Sequence, residues 1–365
     1  MTDLEDRTHD VRTRYLLPPD AYHSTTWYER EQREMFAKTW NLVAYTTDLP
    51  EPGDWCTAQV GHEPVLLARG ADGEIRAFLN MCRHRAMAVA EGSGCGASSL
   101  RCPYHGWEYG LDGSLTRVPQ RSAQFPGLDL DDLGLLPMAV GTWAGLVFVK
   151  PDPDAGPSFA EWLGDYPSQA FVGDFPWEDL VEVGRTRWDL ACNWKLYIEN
   201  HIDCYHLWYL HEESLGMYDH HALTYRSTGL HWACDEPERP GSESRREDLP
   251  HIVGADDAED ALVRANLLFP NVPWSSTGKL VTTYQIVPTG PETCYIDLRM
   301  RALPGTVLSE AVLSGNRRIL YEEDGFACEQ MQRVVRSPRF QVGPLASHHE
   351  QPIMQFHQNV LSFLG

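Results

Sequence analysis

The chain has 365 residues, enough to bury a large hydrophobic core and to form about two domains. Acidic residues outnumber basic ones by 52 to 30, and the net charge of -22 argues against a nucleic-acid partner or an anionic membrane surface. The longest apolar stretch, residues 134–149, contains Pro137, Gly141 and Gly145 and is too short to span a bilayer. The composition therefore predicts a globular protein with no membrane segment.

The cysteines and the N-terminus indicate the compartment. Nine cysteines are scattered along the chain, without the even and close spacing of a disulfide framework. The first residues, MTDLED, lack the basic start and the apolar core of a secretory signal. We therefore expect a cytoplasmic protein with reduced thiols.

The first predicted element is a helix between Ser24 and Trp40. Large apolar side chains recur there near helical spacing among glutamates and arginines, and Ser24 is one of three residues available as an N-cap. We expect residues 1–40 to form an N-terminal helical segment that packs on the second of the two domains.

Short strand-like runs then alternate with turn signals between residues 53 and 149. The GADG run at residues 70–73 lies between two such runs, and the DG pair at residues 112–113 lies between two others. These patterns predict antiparallel hairpins and, for residues 41–155, an all-β domain.

Cys82, His84, Cys102 and His105 form a Cys-x-His motif that is followed, after seventeen residues, by Cys-x2-His. Two thiolates and two imidazoles suit a [2Fe-2S] cluster in which one iron has cysteine ligands and the other has histidine ligands. The same residue types also suit structural zinc, although zinc sites usually pair Cys with Cys and His with His. The alternating order here favours an electron-transfer cluster and leaves zinc as the alternative.

The surroundings of the motif, CRHR at residues 82–85 and CPYHGW at residues 102–107, closely resemble the Rieske-type signature. One departure is Ala86, where that family usually continues with glycine. The substitution removes no ligand. The resemblance implies that the four motif residues hold a [2Fe-2S] cluster, with backbone N–H groups of the hairpin loops directed at its sulfurs.

The PDPDAGP segment at residues 151–157 looks like a domain boundary, and residues 156–365 form the second predicted domain. We expect an α+β domain in which helices cover an antiparallel sheet. The predicted helical runs are residues 158–171, 192–215 and 308–336, the strand-like runs include residues 278–287 and 294–300, and residues 235–259 are a predicted surface loop.

A second group of metal-ligating residue types lies in this domain. Asp203 and His206 are three residues apart, so on a helix they would share a face. His211 follows five residues later, and at about 100° per residue an unbroken helix would turn it about 140° away from His206. The helix must therefore end, bend or carry a π-bulge if both histidines bind one metal. Two histidines and a carboxylate make the facial triad of a non-haem iron centre, which can accept electrons from a cluster.

The Asp-x-Tyr-His-x4-His motif at residues 203–211 resembles the mononuclear iron motif of the Rieske non-haem iron oxygenase α subunits. Asn-Trp-Lys at residues 193–195, Glu-Asn at residues 199–200 and LLFPN at residues 267–271 also fit, so the resemblance covers almost the whole chain. It implies a [2Fe-2S] cluster and a mononuclear Fe(II) as cofactors.

The resemblance also implies roles for single residues. His206 and His211 would bind iron, and Asp203 would link an iron-bound histidine to the cluster ligand His105 of the neighbouring subunit in a head-to-tail homotrimer. The alternative for Asp203 is a carboxylate on a helix surface or one that only orients a ligand.

The third iron ligand must be a carboxylate distant in sequence, which spacing alone cannot select. The segment YEEDGFACE at residues 321–329 resembles the family's late acidic segment, and it implies Asp324 as the ligand, with Glu323 as the next candidate. The alternative is that residues 322–324 form only a solvated acidic turn of a helix.

The function implied by the resemblance is that of a terminal oxygenase, which uses O2 and electrons to hydroxylate, dihydroxylate or oxidatively demethylate a small organic substrate. The chain has no Gly-rich dinucleotide fingerprint, so the electrons would come from a separate NAD(P)H-dependent reductase, with or without a ferredoxin. The alternatives are a Rieske electron-transfer protein with a non-catalytic C-terminal domain and a zinc-stapled binding protein.

The substrate class is indicated only weakly. Tyr205 precedes the first iron histidine where vanillate-type O-demethylases commonly have threonine, so the chain looks more similar to the choline, betaine and carnitine oxygenases and to some ring hydroxylases. The candidates for an apolar substrate cavity are Trp208, Tyr209, Leu215, Met217, Tyr218 and Tyr225.

Overall fold

The computed structural model describes residues 14–170, 175–242, 249–252 and 262–365. The chain forms two compact units, which we call the first unit, Glu31–Trp162, and the second unit, Met1–Arg30 together with Leu163–Gly365. The first border therefore lies earlier in the chain than the predicted residue 40, and the second lies later than the predicted residue 155.

The first unit consists mainly of antiparallel strands. They are β1 (Asn41–Tyr45), β2 (Trp55–Val60), β3 (Glu63–Arg69), β4 (Ile75–Leu79), β5 (Ser93–Gly94), β6 (Leu100–Arg101), β7 (Glu108–Tyr109), β8 (Leu115–Arg117), β9 (Pro137–Trp143) and β10 (Leu146–Lys150). One sheet has the order β1-β10-β9-β4-β3-β2-β5, and a smaller one has the order β6-β7-β8. The predicted all-β architecture is confirmed.

The two predicted hairpins are present. β3 pairs with β4 across residues 70–73, and β7 pairs with β8 across a turn in which the Ser114 N–H donates to Asp112 Oδ1 (3.0 Å). The apolar stretch at residues 134–149 contributes β9 and β10, which pair with each other, and β10 is buried along its whole length. Turn residues and apolar runs therefore determine this part of the fold locally.

The described residues of the second unit form an antiparallel sheet. Its strands are β11 (Val181–Leu190), β12 (Thr224–Thr228), β13 (His231–Pro237), β14 (Leu262–Leu268), β15 (Val272–Ser276), β16 (Val281–Gly290) and β17 (Thr293–Ala302). The order is β11-β17-β16-β15-β14-β13-β12. The predicted strands at residues 278–287 and 294–300 are observed as β16 and β17, and the predicted α+β class is confirmed.

The α-helices in the described ranges of the chain are short. They are α1 (Thr25–Arg30), α2 (Arg121–Gln124), α3 (Phe159–Leu163), α4 (Tyr166–Ala170), α5 (Trp194–Ile202), α6 (Glu310–Arg317), α7 (Asp324–Val335) and α8 (Gln351–Leu364). A π-helical segment, Arg318–Glu323, joins α6 to α7, so the helical run predicted at residues 308–336 is observed. None of the helices in the described part of the chain is long and apolar enough to cross a membrane.

Several elements differ from expectation. The helix predicted from Ser24 to Trp40 changes its hydrogen-bonding pattern along its length, from α1 to the π-helical Glu31–Met35 and the 3-10 segment Phe36–Lys38. Helix α8 was not predicted, although Ile353, Phe356 and Val360 recur at helical spacing and are buried.

The loop predicted at residues 235–259 lies only partly within the described residues. β13 continues to Pro237, so the loop begins later than expected. Residues 243–248 and 253–261 lie outside the described residues.

Candidate metal centres

The first candidate centre lies on two loops of the first unit. Cys82 and His84 follow β4, and Cys102 and His105 lie between β6 and β7. The two cysteines are buried, and the neighbouring Cys82 thiol helps to raise the pKa of Cys102, whereas His84 is half-buried and His105 is exposed. The Nδ1 atoms of the two histidines lie 3.1 Å apart. The four side chains thus form a buried thiol pair and an outer imidazole pair.

The two loops have equivalent backbone geometry. The Ala86 N–H donates to the carbonyl of Cys82, and the Gly106 N–H donates to the carbonyl of Cys102, both at 3.0 Å. Ala86 and Gly106 are each four residues beyond the cysteine and have positive φ angles of 59° and 71°. Ala86 therefore adopts the left-handed conformation that favours glycine, at some cost in strain, and the loop keeps its form despite the departure from the family pattern.

Hydrogen-bond donors are directed at both sulfurs. The Tyr109 hydroxyl accepts from the Arg83 N–H (3.0 Å), so its own proton is free to be donated to Cys82 Sγ, which lies 3.3 Å away. Burial raises the pKa of the Cys102 thiol, while the backbone N–H groups of Tyr104 and His105, which point at its sulfur, act in the opposite direction. Donors in these positions stabilise thiolates, the form that ligates iron.

This arrangement fits a [2Fe-2S] cluster better than zinc. Because the two thiols form one pair and the two imidazoles form another, each pair suits one iron of the cluster. A tetrahedral zinc would instead require all four side chains to surround a single point. The His84 ring also stacks on the Trp107 ring, with a centroid distance of 5.0 Å and an interplanar angle of 9°, which fixes its orientation.

The second candidate centre brings His206, His211 and Asp324 together in the second unit. One ligand-type atom from each residue lies within 4.8 Å of the other two. Asp324 Oδ1 is 2.9 Å from His211 Nε2 and 3.7 Å from His206 Nε2. Two imidazoles and a carboxylate at these distances fit a divalent iron with open coordination positions.

The local fold around the motif differs from the helix considered for Asp203 and His206. The Asn193 side chain caps α5 by accepting from the Lys195 N–H (3.0 Å), and the helix ends at Ile202 because Asp203 is extended (φ -77°, ψ 118°). The helical run predicted to residue 215 is therefore wrong beyond Ile202. A 3-10 turn, His206–Trp208, follows and provides the break that allows both histidines to face one point.

Because the helix ends before Asp203, the carboxylate contacts His206 across the following turn and not along a helix face. Its Oδ2 lies 3.3 Å from Nδ1 of His206, and its Oδ1 accepts from the Tyr205 N–H. The side chains of Asp203 and His206 are each 16% exposed, so the carboxylate lies near the surface of the second unit while it touches the histidine. Nδ1 makes no hydrogen bond within the described residues, so the contact with Asp203 is electrostatic and leaves Nε2 for a metal.

Glu323 has a role that the sequence did not indicate. Nδ1 of His211 donates to Glu323 Oε2 (2.8 Å), Ser214 Oγ donates to the same oxygen, and Arg318 Nε donates to Glu323 Oε1 (2.8 Å). Although burial opposes it, these donors hold the pKa of Glu323 below its usual range. Glu323 therefore faces away from the triad and orients His211.

Asp324 is held separately. Asn200 Nδ2 donates to Asp324 Oδ1 (2.8 Å), and the carboxylate is buried. Burial would raise the pKa of Asp324, but contact with His211, His206 and Asn200 lowers it below the usual value, so the group is ionised. An ionised carboxylate with Nε2 of both histidines beside it has the chemistry of a metal site.

A cavity of about 130 Å³ adjoins this triad. Of the predicted cavity residues, Leu215 and Tyr218 line it, whereas Trp208, Tyr209, Met217 and Tyr225 are not among its described lining residues. Its described lining is Asn200, His201, Asp203, Cys204, His206, Leu207, His211, Leu215, Tyr218, Leu223, Trp232, Cys234, Glu236, Val263, Ala265, Ser275, Tyr284, Asn316, Ile319, Leu320 and Asp324.

His201 lines the cavity as a neutral base that was not anticipated. Burial lowers the pKa of His201 to about 4. Its Nε2 donates to the backbone carbonyl of Asn266 (2.9 Å), so Nδ1 is the acceptor for the Tyr284 hydroxyl (3.1 Å). In the sequence, only the position of His201 directly after the Glu-Asn pair could have indicated this role. Its partners, Asn266 on β14 and Tyr284 on β16, are more than sixty residues away in the chain.

Two known protein families match the parts of the chain that contain the two candidate centres. The sequence model of the Rieske [2Fe-2S] domain family matches residues 39–136. The model of the family "Ring hydroxylating alpha subunit (catalytic domain)" matches residues 177–365, which is more than half of the chain.

Individual relatives span most or part of the chain. A chloroplastic choline monooxygenase of Beta vulgaris is 29% identical over 353 residues, which cover 94% of this chain and 76% of that protein. The alpha subunit of biphenyl 2,3-dioxygenase of Rhodococcus jostii is 38% identical over 197 residues, 52% of this chain and 42% of that protein.

A solved structure supports the fold. The quaternary ammonium Rieske monooxygenase CntA, in complex with its substrate L-carnitine, matches with a TM-score of 0.81 and 22% identity over 98% of this chain and 97% of that one. A C-terminal half that matches a catalytic-domain family argues against the alternative of a mere electron carrier. The chain belongs to the ring hydroxylating alpha subunit family: it is the terminal oxygenase subunit of a Rieske-type oxygenase, with a [2Fe-2S] cluster, a mononuclear iron and electrons supplied by a separate partner.

Proposed function

We propose that this oxygenase inserts oxygen from O2 into a small organic substrate, a quaternary amine or an aromatic compound, held in the cavity beside His206, His211 and Asp324. The observation that carries the proposal is the position of this triad in the wall of a cavity of about 130 Å³. Protein cavities of about 150 Å³ hold molecules of benzene's size, so the space suits a compact substrate. The reaction is a hydroxylation, a dihydroxylation or an oxidative demethylation.

In this proposal each unit binds one metal centre. Cys82, His84, Cys102 and His105 hold the cluster, and the triad holds the iron. When bound, the cluster relays single electrons and the iron activates O2.

The surrounding residues of the second unit keep the ligands in place. Glu323 fixes the tautomer of His211 so that Nε2 faces the metal, and Asn200 orients the carboxylate of Asp324. Each ligand is thus positioned before the metal or the substrate binds, which reduces reorganisation during the reaction.

Electron entry to the iron is proposed to pass through Asp203. We infer a head-to-tail homotrimer in which the exposed His105 of one subunit meets Asp203 of the next. The contact of Asp203 with His206 and the exposure of His105 support this route. A separate NAD(P)H-dependent reductase, with or without a ferredoxin, delivers the electrons to the cluster, and we place the enzyme in the cytoplasm, where the cluster cysteines stay reduced.

The reaction is tested with isotopically labelled O2. The purified protein, a reductase and NADH are supplied with choline, carnitine or aromatic acids, and products are analysed by mass spectrometry. Label in a product of the wild type and none in an Asp324→Ala variant supports the proposal. Substrate-independent NADH consumption across the whole panel, with no labelled product, contradicts it.

The proposed electron transfer between subunits is tested by co-expressing two variants, each of which lacks a different metal site. Chains that lack the iron site (Asp324→Ala) and chains that lack a cluster ligand (Cys102→Ala) are each expected to be inactive alone. Co-expression should restore part of the activity if electrons cross between chains, because hybrid trimers then contain intact cluster and iron sites on adjacent subunits. Co-purified but inactive hybrids contradict the route.

A further inference from the structure

Glu236 is a buried carboxylate in the lining of the active-site cavity that the metal chemistry does not use. It is 6% exposed and lies on β13, where Trp232, Cys234 and Glu236 occupy alternate positions and all line the cavity. Alternate residues of a strand share one face, so β13 presents this carboxylate to the cavity by its register. A charged side chain in a buried position is costly unless it has partners.

One of its oxygens has such a partner. Nδ1 of His220 donates to Glu236 Oε1, and both side chains are buried. Within the described residues, Oε2 has no hydrogen-bond partner. The histidine therefore orients the carboxylate and leaves its other oxygen available to a ligand.

The neighbouring lining suits the organic part of a cation. Tyr218 pairs by a backbone bridge with Glu238, two residues beyond Glu236, and its buried side chain lines the cavity. Leu215 and Val263, the latter paired with Glu236 between β13 and β14, add apolar surface. A carboxylate beside an aromatic ring and aliphatic groups is the environment that binds alkylated ammonium ions.

We propose that Glu236 binds the cationic ammonium group of the substrate, so that this oxygenase selects cationic amines over neutral molecules of the same shape. The inference rests on the proposed function, in which this cavity holds the substrate. With the ammonium group at Glu236, the remainder of the ligand extends toward His206 and Asp324, which line the same cavity. Glu236 is then a specificity-determining residue and takes no part in electron transfer.

The test compares choline with its neutral carbon isostere, in which a carbon atom replaces the nitrogen. Binding to the holoenzyme is measured by calorimetry without a reductase, so the result does not depend on turnover. We expect the wild type to bind choline about tenfold to hundredfold more tightly than the isostere, since a charge-assisted contact in a buried site has that worth. Glu236→Gln, which can still accept from His220, should lose most of this preference while its affinity for the isostere changes little.

Glu178→Gln is the matched control, because it removes one negative charge from an exposed position in the same unit. It should keep the preference of the wild type. Equal binding of choline and the isostere by the wild type, no detectable binding of choline, or an equal loss for both ligands in Glu236→Gln would overturn the inference. Glu236-dependent choline binding in a protein that yields no labelled product from any substrate would instead refute the proposed function, and with it the role of Glu236 in substrate selection, while Glu236 would remain a binding site for ammonium ions.

Discussion

His211 lies between two adjacent carboxylates, with Nδ1 2.8 Å from Glu323 Oε2 and Nε2 2.9 Å from Asp324 Oδ1. The two neighbours in sequence therefore occupy opposite sides of one imidazole ring. The π-helical segment Arg318–Glu323 ends between them, where α7 begins. This geometry favours Asp324 over Glu323 as the iron ligand and assigns Glu323 to orientation.

Replacement of Asp324 by alanine should remove the mononuclear iron and spare the cluster. The wild type should contain about three irons per chain, two in the cluster and one in the triad, and the variant about two. Metal analysis combined with electron paramagnetic resonance measures both centres. Glu322→Ala, an exposed neighbour paired with Arg317, is the control and should keep the iron of the wild type. Unchanged iron content in Asp324→Ala would move the ligand assignment elsewhere.

Replacement of Glu323 by glutamine should weaken iron binding without abolishing it. Glutamine can still accept from His211 but lacks the charge that makes the imidazole a better ligand, so we expect a loss of about tenfold in iron affinity. Titration of the metal-free protein with Fe(II) under anaerobic conditions measures the change. A complete loss of iron, with Asp324→Ala retaining it, would reverse the roles of the two carboxylates.

Replacement of Asp203 by asparagine should leave both metal centres intact and interrupt the electron path. Because Asp203 contacts His206 but is not one of the three clustered residues, Fe(II) supplied in excess should still fill the triad, and the cluster spectrum should be unchanged. Coupled O2 consumption should fall about 100-fold. The exposed Asp189→Asn variant is the control. Normal turnover of Asp203→Asn would show that electrons reach the iron by another route.

The loops of the first unit could be predicted in detail because their signals are local. The cysteine and histidine spacing and the turn residues lie within a few positions of the features that they determine, such as the hairpin closed by Asp112. The second metal centre, formed by His206, His211 and Asp324, is harder to predict from the sequence. Asp324 is more than a hundred residues from His211, so only the family resemblance could select it, and the role of Glu323 depends on the π-helical geometry. The position of Glu236 in the cavity lining could not be predicted, because it depends on how β13 pairs with other strands, and such pairing is not determined locally in the sequence.

Replacement of Tyr109 by phenylalanine should lower the reduction potential of the cluster. The Tyr109 hydroxyl lies 3.3 Å from Cys82 Sγ, and loss of a donor to a ligating sulfur disfavours the reduced state, which carries more negative charge. The expected change is on the order of tens of millivolts, the size of one ordinary hydrogen bond. Redox titration measures it. Tyr104→Phe is the control because the Tyr104 hydroxyl contacts Arg85, and an equal shift in both variants would contradict the assignment.

Replacement of Ala86 by glycine should stabilise the first unit. Ala86 has φ 59°, and the left-handed region costs a residue with a side chain about 1–2 kcal/mol, which is partly offset by the greater flexibility of glycine in the unfolded chain. We expect a gain of about 1 kcal/mol in the free energy of unfolding, measured by denaturant titration of the cluster absorbance. Ala88→Gly, two residues further along, should destabilise instead. A loss of stability in Ala86→Gly would mean that the side chain itself packs favourably.

The most direct test of the relay from cluster to iron is a single turnover without a reductase. The protein is reduced chemically, freed of reductant, and mixed with substrate and O2 while the cluster absorbance and the product are followed together. Oxidation of the cluster in step with product formation is the predicted result, with the cluster remaining reduced in Asp203→Asn. Product formation while the wild-type cluster stays reduced would contradict the electron path from the cluster through Asp203 to the iron.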